Sequence, residues 1–289
     1  MGLPVAVDAM GSDHGPGEVC KGVLEAVSQG ANVVVFGDQE VLSACVDAGV
    51  TVHHTPSWVD MDQPASMGMS PGEGEVTSVM AAARAVAEGR CGAFVSFGNT
   101  GAAVLSTVRV MGMREDVERV ALGVEYPAPT GHLLVLDVGA TVDPKPQHLV
   151  GFAQIGLQWA QSKGIEAPHV ALLSNGEERS KGNRLVRETL ELAQEIGLEM
   201  QPAEPKDVFS GDVHVLVTDG FTGNVFLKTI EVAPRLFAGP GDGGEALMNR
   251  YGAARLFGIN GLAFIGHGRS GHEAVATAIL RAYQESTRV

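Results

Sequence analysis

Five strand-length apolar runs in this chain each stop at a turn that joins glycine to polar side chains. The runs are 3–7, 92–97, 132–138, 213–217 and 262–265, and the turns fall at Asp8, Gly98, Asp137, Asp219 and Gly266. Helix-forming stretches follow the turns, and further short strands are expected at 32–36, 51–54, 121–125 and 169–174. Alternation at this pace specifies parallel βαβ units, hence an α/β fold. In an open parallel sheet the turns that leave the strands share one edge, where ligands bind near a switch in strand order. Turns needed for geometry alone would not so regularly carry Asn, Asp, His, Thr and Lys, so a shared active site is expected. No Gly-x-Gly-x-x-Gly follows the first strand, which argues against hydride transfer with a bound dinucleotide.

Helices are expected over 17–28, 39–47, 75–88 and 147–161, after 102, from about 178 through 193, from 224, and at the C-terminal end. Loops are expected at 60–74 and 238–244, the second followed by a short helix. The segment 216–228 is the most telling. Its apolar run ends in Asp219, a turn with Gly220 and Gly223 follows, and a helix is expected to start at Asn224. Such a junction aims backbone N–H groups and a positive helix end at one point, which suits phosphate or another anion.

The 289 residues suffice for one large α/β domain over 1–289, or for two lobes sharing a sheet. A formal charge of −14 argues against a general nucleic-acid binder and against broad attraction to anionic lipid. An anionic substrate must therefore be held by a few local cations and backbone amides. Cys20, Cys45 and Cys91 show no metal-ligand spacing and read as reduced, structural thiols. His53 and His54 are adjacent on a strand, so their side chains diverge and cannot easily share a metal. No signal segment opens the chain and no apolar run has membrane-spanning length, so the expected location is cytoplasmic.

The ordered motifs identify a family. Val5-Ala-Val-Asp-Ala-Met-Gly-Ser-Asp-His-Gly-Pro16, Gly98-Asn-Thr-Gly-Ala102, Leu136-Asp-Val-Gly-Ala140 with Asp143-Pro-Lys-Pro-Gln-His-Leu149, Gly176-Glu-Glu-Arg-Ser-Lys-Gly-Asn183, Asp219-Gly-Phe-Thr-Gly-Asn-Val-Phe-Leu-Lys228 and Gly266-His-Gly-Arg-Ser270 together resemble the PlsX-type phosphate acyltransferases of bacterial phospholipid synthesis. The resemblance implies transfer of a fatty acyl group from an acyl carrier protein thioester to inorganic phosphate, giving acyl phosphate. It also implies a three-layer α/β/α fold with a mainly parallel sheet, related to phosphotransacetylases and isopropylmalate dehydrogenases. A homodimer is implied, with no redox cofactor and no metal.

Phosphate is already an anionic nucleophile at neutral pH, so such chemistry needs no activated Ser or Cys. It needs two reactants held together and donors for the oxyanion that forms at the thioester carbonyl. The candidate catalytic residues are Asn99, Asn224, Lys181, Lys228 and His267. The two Asn amides and the backbone N–H groups of 98–101 and 220–224 are expected as neutral donors. Lys145, Lys181 and Lys228 are expected as cations, and His267 as a donor to phosphate or to the leaving thiolate. Candidate substrate-binding residues are Asp8, Gly11, Asp13, His14, Gly98, Thr100, Gly101, Asp137, Asp143, Lys145, Asn183, Asp219, Gly220, Thr222, Gly223 and Ser270. Plainer roles stand beside these: Lys228 as a solvated helix residue, His267 as turn packing, and Asp8, Asp137 and Asp219 as acceptors of backbone N–H bonds.

The chain departs from the family in two segments. Family members carry an Arg/Lys-rich segment between the Met-Asp motif and the helix before the first Asn-Thr-Gly turn; here that stretch, 61–75, has none, and no Lys or Arg occurs between Lys21 and Arg84. After Phe237 the basic, amphipathic helical hairpin of the family is missing, which makes membrane association doubtful. Thr141 stands where Asn is usual, and Lys206 where an Arg-Asp pair is common. Two alternatives stay open: acyl-coenzyme A or another carrier as donor, and a non-catalytic carrier-binding relative.

Overall fold

A computed structural model describes residues 2–68, 76–128, 131–237 and 252–287. The expected loop 238–244, its short helix and part of the loop 60–74 lie outside the described residues. The chain divides into two units, Met1–Arg114 with Ala233–Val289, and Glu115–Val232.

In the first unit β1 (Val5–Asp8) is buried at every position, as a central parallel strand must be. It pairs in parallel with β2 (Val33–Gly37) on one side and β4 (Ala93–Ser96) on the other. β2 continues to β3 (Thr51–His54), and β4 to β11 (Ala263–Ile265), both in parallel. An antiparallel strand, β10 (Ala254–Phe257), pairs with β11 and lies outside the expected elements. Side chains alternate across this sheet. Val5, Val7, Val33, Val35, Ala93 and Val95 enter one core with α1 (Pro16–Ser28) and α9 (His272–Ser286). The opposite face is covered by α3 (Ser78–Ala87) and α4 (Thr100–Met111), so helices lie on both sides of the sheet.

The second unit begins with an antiparallel pair, β5 (Ala121–Ala128) and β6 (Gly131–Leu136). Parallel strands follow in the order β6, β9 (Val215–Val217), β7 (Val170–Leu173) and β8 (Gln201–Ala203). α5 (Pro146–Ser162) packs on β9 because Gly156 leaves room for Val215; a Cβ there would run into the Val215 side chain. α6 (Arg184–Glu195) starts later than the expected 178, where the Asn183 Oδ1 accepts the Val186 N–H at 2.9 Å. α8 (Gly220–Phe237) starts four residues before the expected Asn224. The α/β class and the mainly parallel strands are as the sequence leads one to expect.

The cysteine expectation is overturned. Cys20 on α1 and Cys45 on α2 (Ser43–Asp47) form a disulfide, and Cys91 alone is a free, buried thiol. The helices α1 and α2 pack together, so tertiary contact brings together two thiols whose spacing carries no signal. His53 and His54 diverge as expected: His53 stacks on Phe36, and the His54 Nδ1 accepts the Gln39 N–H at 3.2 Å. Closing the 25-residue loop contributes about 3 kcal/mol. Reduction is therefore expected to lower the thermal midpoint by roughly 5–10 °C, measured by calorimetry with and without reductant; an unchanged midpoint would refute this. Among the described residues no helix is long and apolar enough to cross a membrane.

Candidate active site

Three turns of the first unit converge. The first follows β1, where Asp8 is buried with its Oδ2 accepting the Ser96 hydroxyl at 2.7 Å and its Oδ1 accepting the Met10 N–H at 3.4 Å. The Ser78 hydroxyl at the start of α3 binds Asp8 as well, yet burial outweighs these bonds and lifts the carboxyl to about 6. Gly11 has a φ of 75°, and a Cβ on it would strike the Val59 carbonyl. Asp13 donates its N–H to the Gly268 carbonyl at 2.9 Å, and its carboxylate lies 3.6 Å from the Arg269 guanidinium. The turns after β1 and β11 are thereby tied together. His14 is exposed beside them.

The second turn follows β4. The Gly98 N–H binds the Ser96 hydroxyl at 3.2 Å, and a Cβ on Gly98 would come within 2.9 Å of the Met10 carbonyl. Asn99 caps α4: its Oδ1 accepts the Ala102 N–H at 3.0 Å. Its Nδ2 donates to the carbonyls of Met61 at 3.2 Å and Gln63 at 3.1 Å, with the Asp60 carbonyl at 3.5 Å. The Asn99 amide hydrogens, expected to face an oxyanion, are thus engaged in holding the 60–63 loop. Thr100 and Gly101 are the first two helical residues, whose N–H groups have no partner within α4. Gly101 leaves room for Ala65 across the loop.

The third turn, 266–270, packs Gly266 on the Phe97 ring. His267 is exposed, and its Nδ1 accepts the Arg269 N–H at 3.1 Å, so the neutral ring carries its proton on Nε2. Ser270 is buried and donates its N–H to the His267 carbonyl at 2.9 Å. Ser96 and Ser78 escape the sequence reading. The signal for Ser96 is a hydroxyl closing an otherwise apolar strand.

In the second unit two turns interlock. The Asp137 Oδ1 accepts N–H bonds from Leu122, Gly139 and Ala140 at 2.8, 3.0 and 3.0 Å, and its Oδ2 accepts that of Thr141 at 2.6 Å. Burial still pushes this carboxyl up to about 6, against the pull of the four bonds. The Thr141 carbonyl accepts the Gly220 N–H at 2.9 Å. Asp219 caps α8, taking the Thr222 N–H at 2.8 Å and the Thr222 hydroxyl at 2.7 Å. The N–H groups of 220, 222 and 223 are therefore partnered by the protein, the last by the Asp219 carbonyl at 2.9 Å. The expected open donor nest over 220–224 is thus filled at three positions, by the Thr141 carbonyl, the Asp219 carboxylate and the Asp219 carbonyl.

Asn224 donates from Nδ2 to the Val138 carbonyl at 3.0 Å, keeping its Oδ1 and a second amide hydrogen. Lys228 is exposed one turn further along α8. Asp143 and Lys145 are exposed in the loop that leads into α5, and Lys181 and Asn183 lie in the loop before α6. The Asn183 side-chain oxygen is taken up in capping α6. Among the described residues Glu177, Glu204 and Asp207 are grouped closely enough to hold an ion, but Lys206 lies 3.0 and 2.8 Å from Glu177 and Glu204 and supplies the positive charge there.

The model of a family described as "Fatty acid synthesis protein" matches residues 3–238. A phosphate acyltransferase of Anaeromyxobacter sp. (strain Fw109-5) is 37% identical over 311 residues, spanning 96% of this chain and 86% of that relative. A phosphate acyltransferase of Thermus thermophilus is also 37% identical, spanning 97% of this chain and 94% of its own length. A phosphotransacetylase from Streptococcus pyogenes superposes with a TM-score of 0.66 at 18% identity, over 99% of this chain and 95% of that one, which shows a shared fold. The matched span contains five of the six motif segments, and both relatives align over nearly the whole chain, so it belongs to the PlsX-type phosphate acyltransferases, enzymes of acyl transfer to phosphate.

Proposed function

We propose that this protein moves a fatty acyl group from acyl carrier protein to inorganic phosphate, supplying acyl phosphate for phospholipid synthesis. The observation that carries the reading is the start of α4, where the Thr100 and Gly101 N–H groups have no partner within the helix and stand in a cluster of three turns that also presents His267. A helix end of this kind favours a phosphate without a full countercharge. A phosphate oxygen attacks the thioester carbonyl carbon, the carbon–sulfur bond breaks, and the proton of hydrogen phosphate passes to the departing thiolate. His267 is suited to relay that proton, because its Nδ1 is occupied by a backbone N–H and the exposed ring carries its proton on Nε2. Exposed Lys145, Lys181 and Lys228 are suited to anionic groups of the reactants. We also expect a homodimer.

The test is thiol release from acyl carrier protein and from acyl-coenzyme A, each with and without phosphate. Phosphate-dependent release from the carrier thioester is expected, and His267→Ala should lower kcat/KM roughly a hundredfold. Release that ignores phosphate would end the proposal, and release from coenzyme A alone would reassign the donor.

A further inference from the structure

One stretch of this acidic chain carries the opposite charge balance. Residues 76–114 hold Arg84, Arg90, Arg109 and Arg114 against a single acid, Glu88. Arg90 takes Glu88 at 2.7 Å. Arg84 and Arg109 are exposed, and neither has an ion-pair partner among the described residues. They stand on α3 and α4, which pack side by side on one face of the first unit's sheet. Both helices start at the turn cluster, α3 with Ser78 on Asp8 and α4 with the Asn99 cap. Arg84 is six residues past Ser78 and Arg109 nine past Thr100. The two guanidinium-bearing positions therefore lie about 9 and 14 Å down neighbouring helices. Leu105, 38% exposed, precedes Arg109 by one turn, and Met113, 39% exposed, follows the helix. The face thus mixes apolar contact area with two guanidinium groups that have no ion-pair partner among the described residues, the composition of a protein-docking surface.

We propose that this α3–α4 face, centred on Arg84, Leu105 and Arg109, docks an acidic carrier protein whose thioester arm reaches the start of α4. The proposal rests on the acyl-transfer reading above. Charge complementarity selects the occupant: a net charge of −14 repels an acidic partner from most of the surface, and two exposed arginines beside apolar side chains offer it a local attraction. A small thioester such as acyl-coenzyme A has no protein body to place there.

The experiment compares the wild type with Arg84→Glu/Arg109→Glu and Arg84→Lys/Arg109→Lys. Carrier binding is followed directly, and thiol release is followed with carrier-borne and coenzyme A thioesters. The Glu pair is expected to weaken carrier binding, and to raise KM for the carrier thioester, about tenfold or more. Coenzyme A turnover should stay within about twofold, and the Lys pair should remain near wild type. Unchanged carrier binding in the Glu pair, or equal losses with both donors, would overturn the docking surface. Wild-type enzyme that releases thiol from neither donor would instead sink the acyl-transfer reading, while arginine-dependent carrier binding would still support the surface.

Discussion

Gly223→Ala is expected to reduce kcat/KM by roughly a hundredfold, the cost of moving site residues by about 1 Å. A Cβ at this position would overlap the Asp137 carbonyl and come within 2.8 Å of the Thr218 methyl. Alanine favours helix over glycine by about 1 kcal/mol, so the intrinsic preference runs toward a more stable protein. The steric term opposes it: overpacking a tight contact costs about 1–3 kcal/mol. The start of α8 must then slide away from β6, carrying Asn224 and Lys228 with it. Steady-state kinetics and calorimetry on the same variant check the claim. Wild-type kcat/KM in Gly223→Ala would show that α8 can move without consequence.

Asp137→Ala is expected to destabilise the protein by about 3 kcal/mol, because four backbone N–H groups lose their acceptor and the deepest of them is hard to rehydrate. Asp137→Asn should cost less, about 1–2 kcal/mol. It keeps an oxygen for the three bonds to Oδ1 and sets its NH2 against the Thr141 N–H. The wild type's pH dependence carries the opposite sign from an ordinary ion-paired acid. Asp8 and Asp137 titrate near 6 when folded and near 3.8 when unfolded, so the folded chain holds more protons between those values. Stability from these two groups is highest below about pH 4 and falls by roughly 3 kcal/mol each as the pH rises through 6. Removing Asp137 should shallow that fall, measured as denaturant midpoints at pH 4, 5, 6 and 7. A slope identical in wild type and Asp137→Asn would contradict the buried-acid account.

The parallel alternation is legible in the sequence because short apolar runs such as 5–8 and 93–96 are buried on both faces and end in polar turns. The interior of those turns is less legible. Gly220 and Gly223 read as turn residues on propensity, yet they lie inside α8, and at Gly223 the Asp137 carbonyl leaves no room for a Cβ. Asn99 reads as an oxyanion donor by its place in the Gly98–Ala102 turn. Its actual partners are carbonyls 36 to 39 residues away, and nothing in local spacing announces them. The Cys20–Cys45 bridge and the short strands β8 and β10 depend likewise on which elements meet in space. Asp8, Asp137 and Asp219 were legible as acids at strand ends, and the hydrogen bonds place all three in the role of acceptors for protein donors.

The grip of Asn99 on the 60–63 loop has an evolutionary corollary. The amide holds the loop by its main-chain oxygens, which every sequence possesses, and asks nothing of the side chains at 61 or 62. These bonds are therefore indifferent to the charge and size of the side chains the loop carries. Substitution at 61 or 62 can thus leave the turn that opens α4 in place, provided position 99 remains an asparagine.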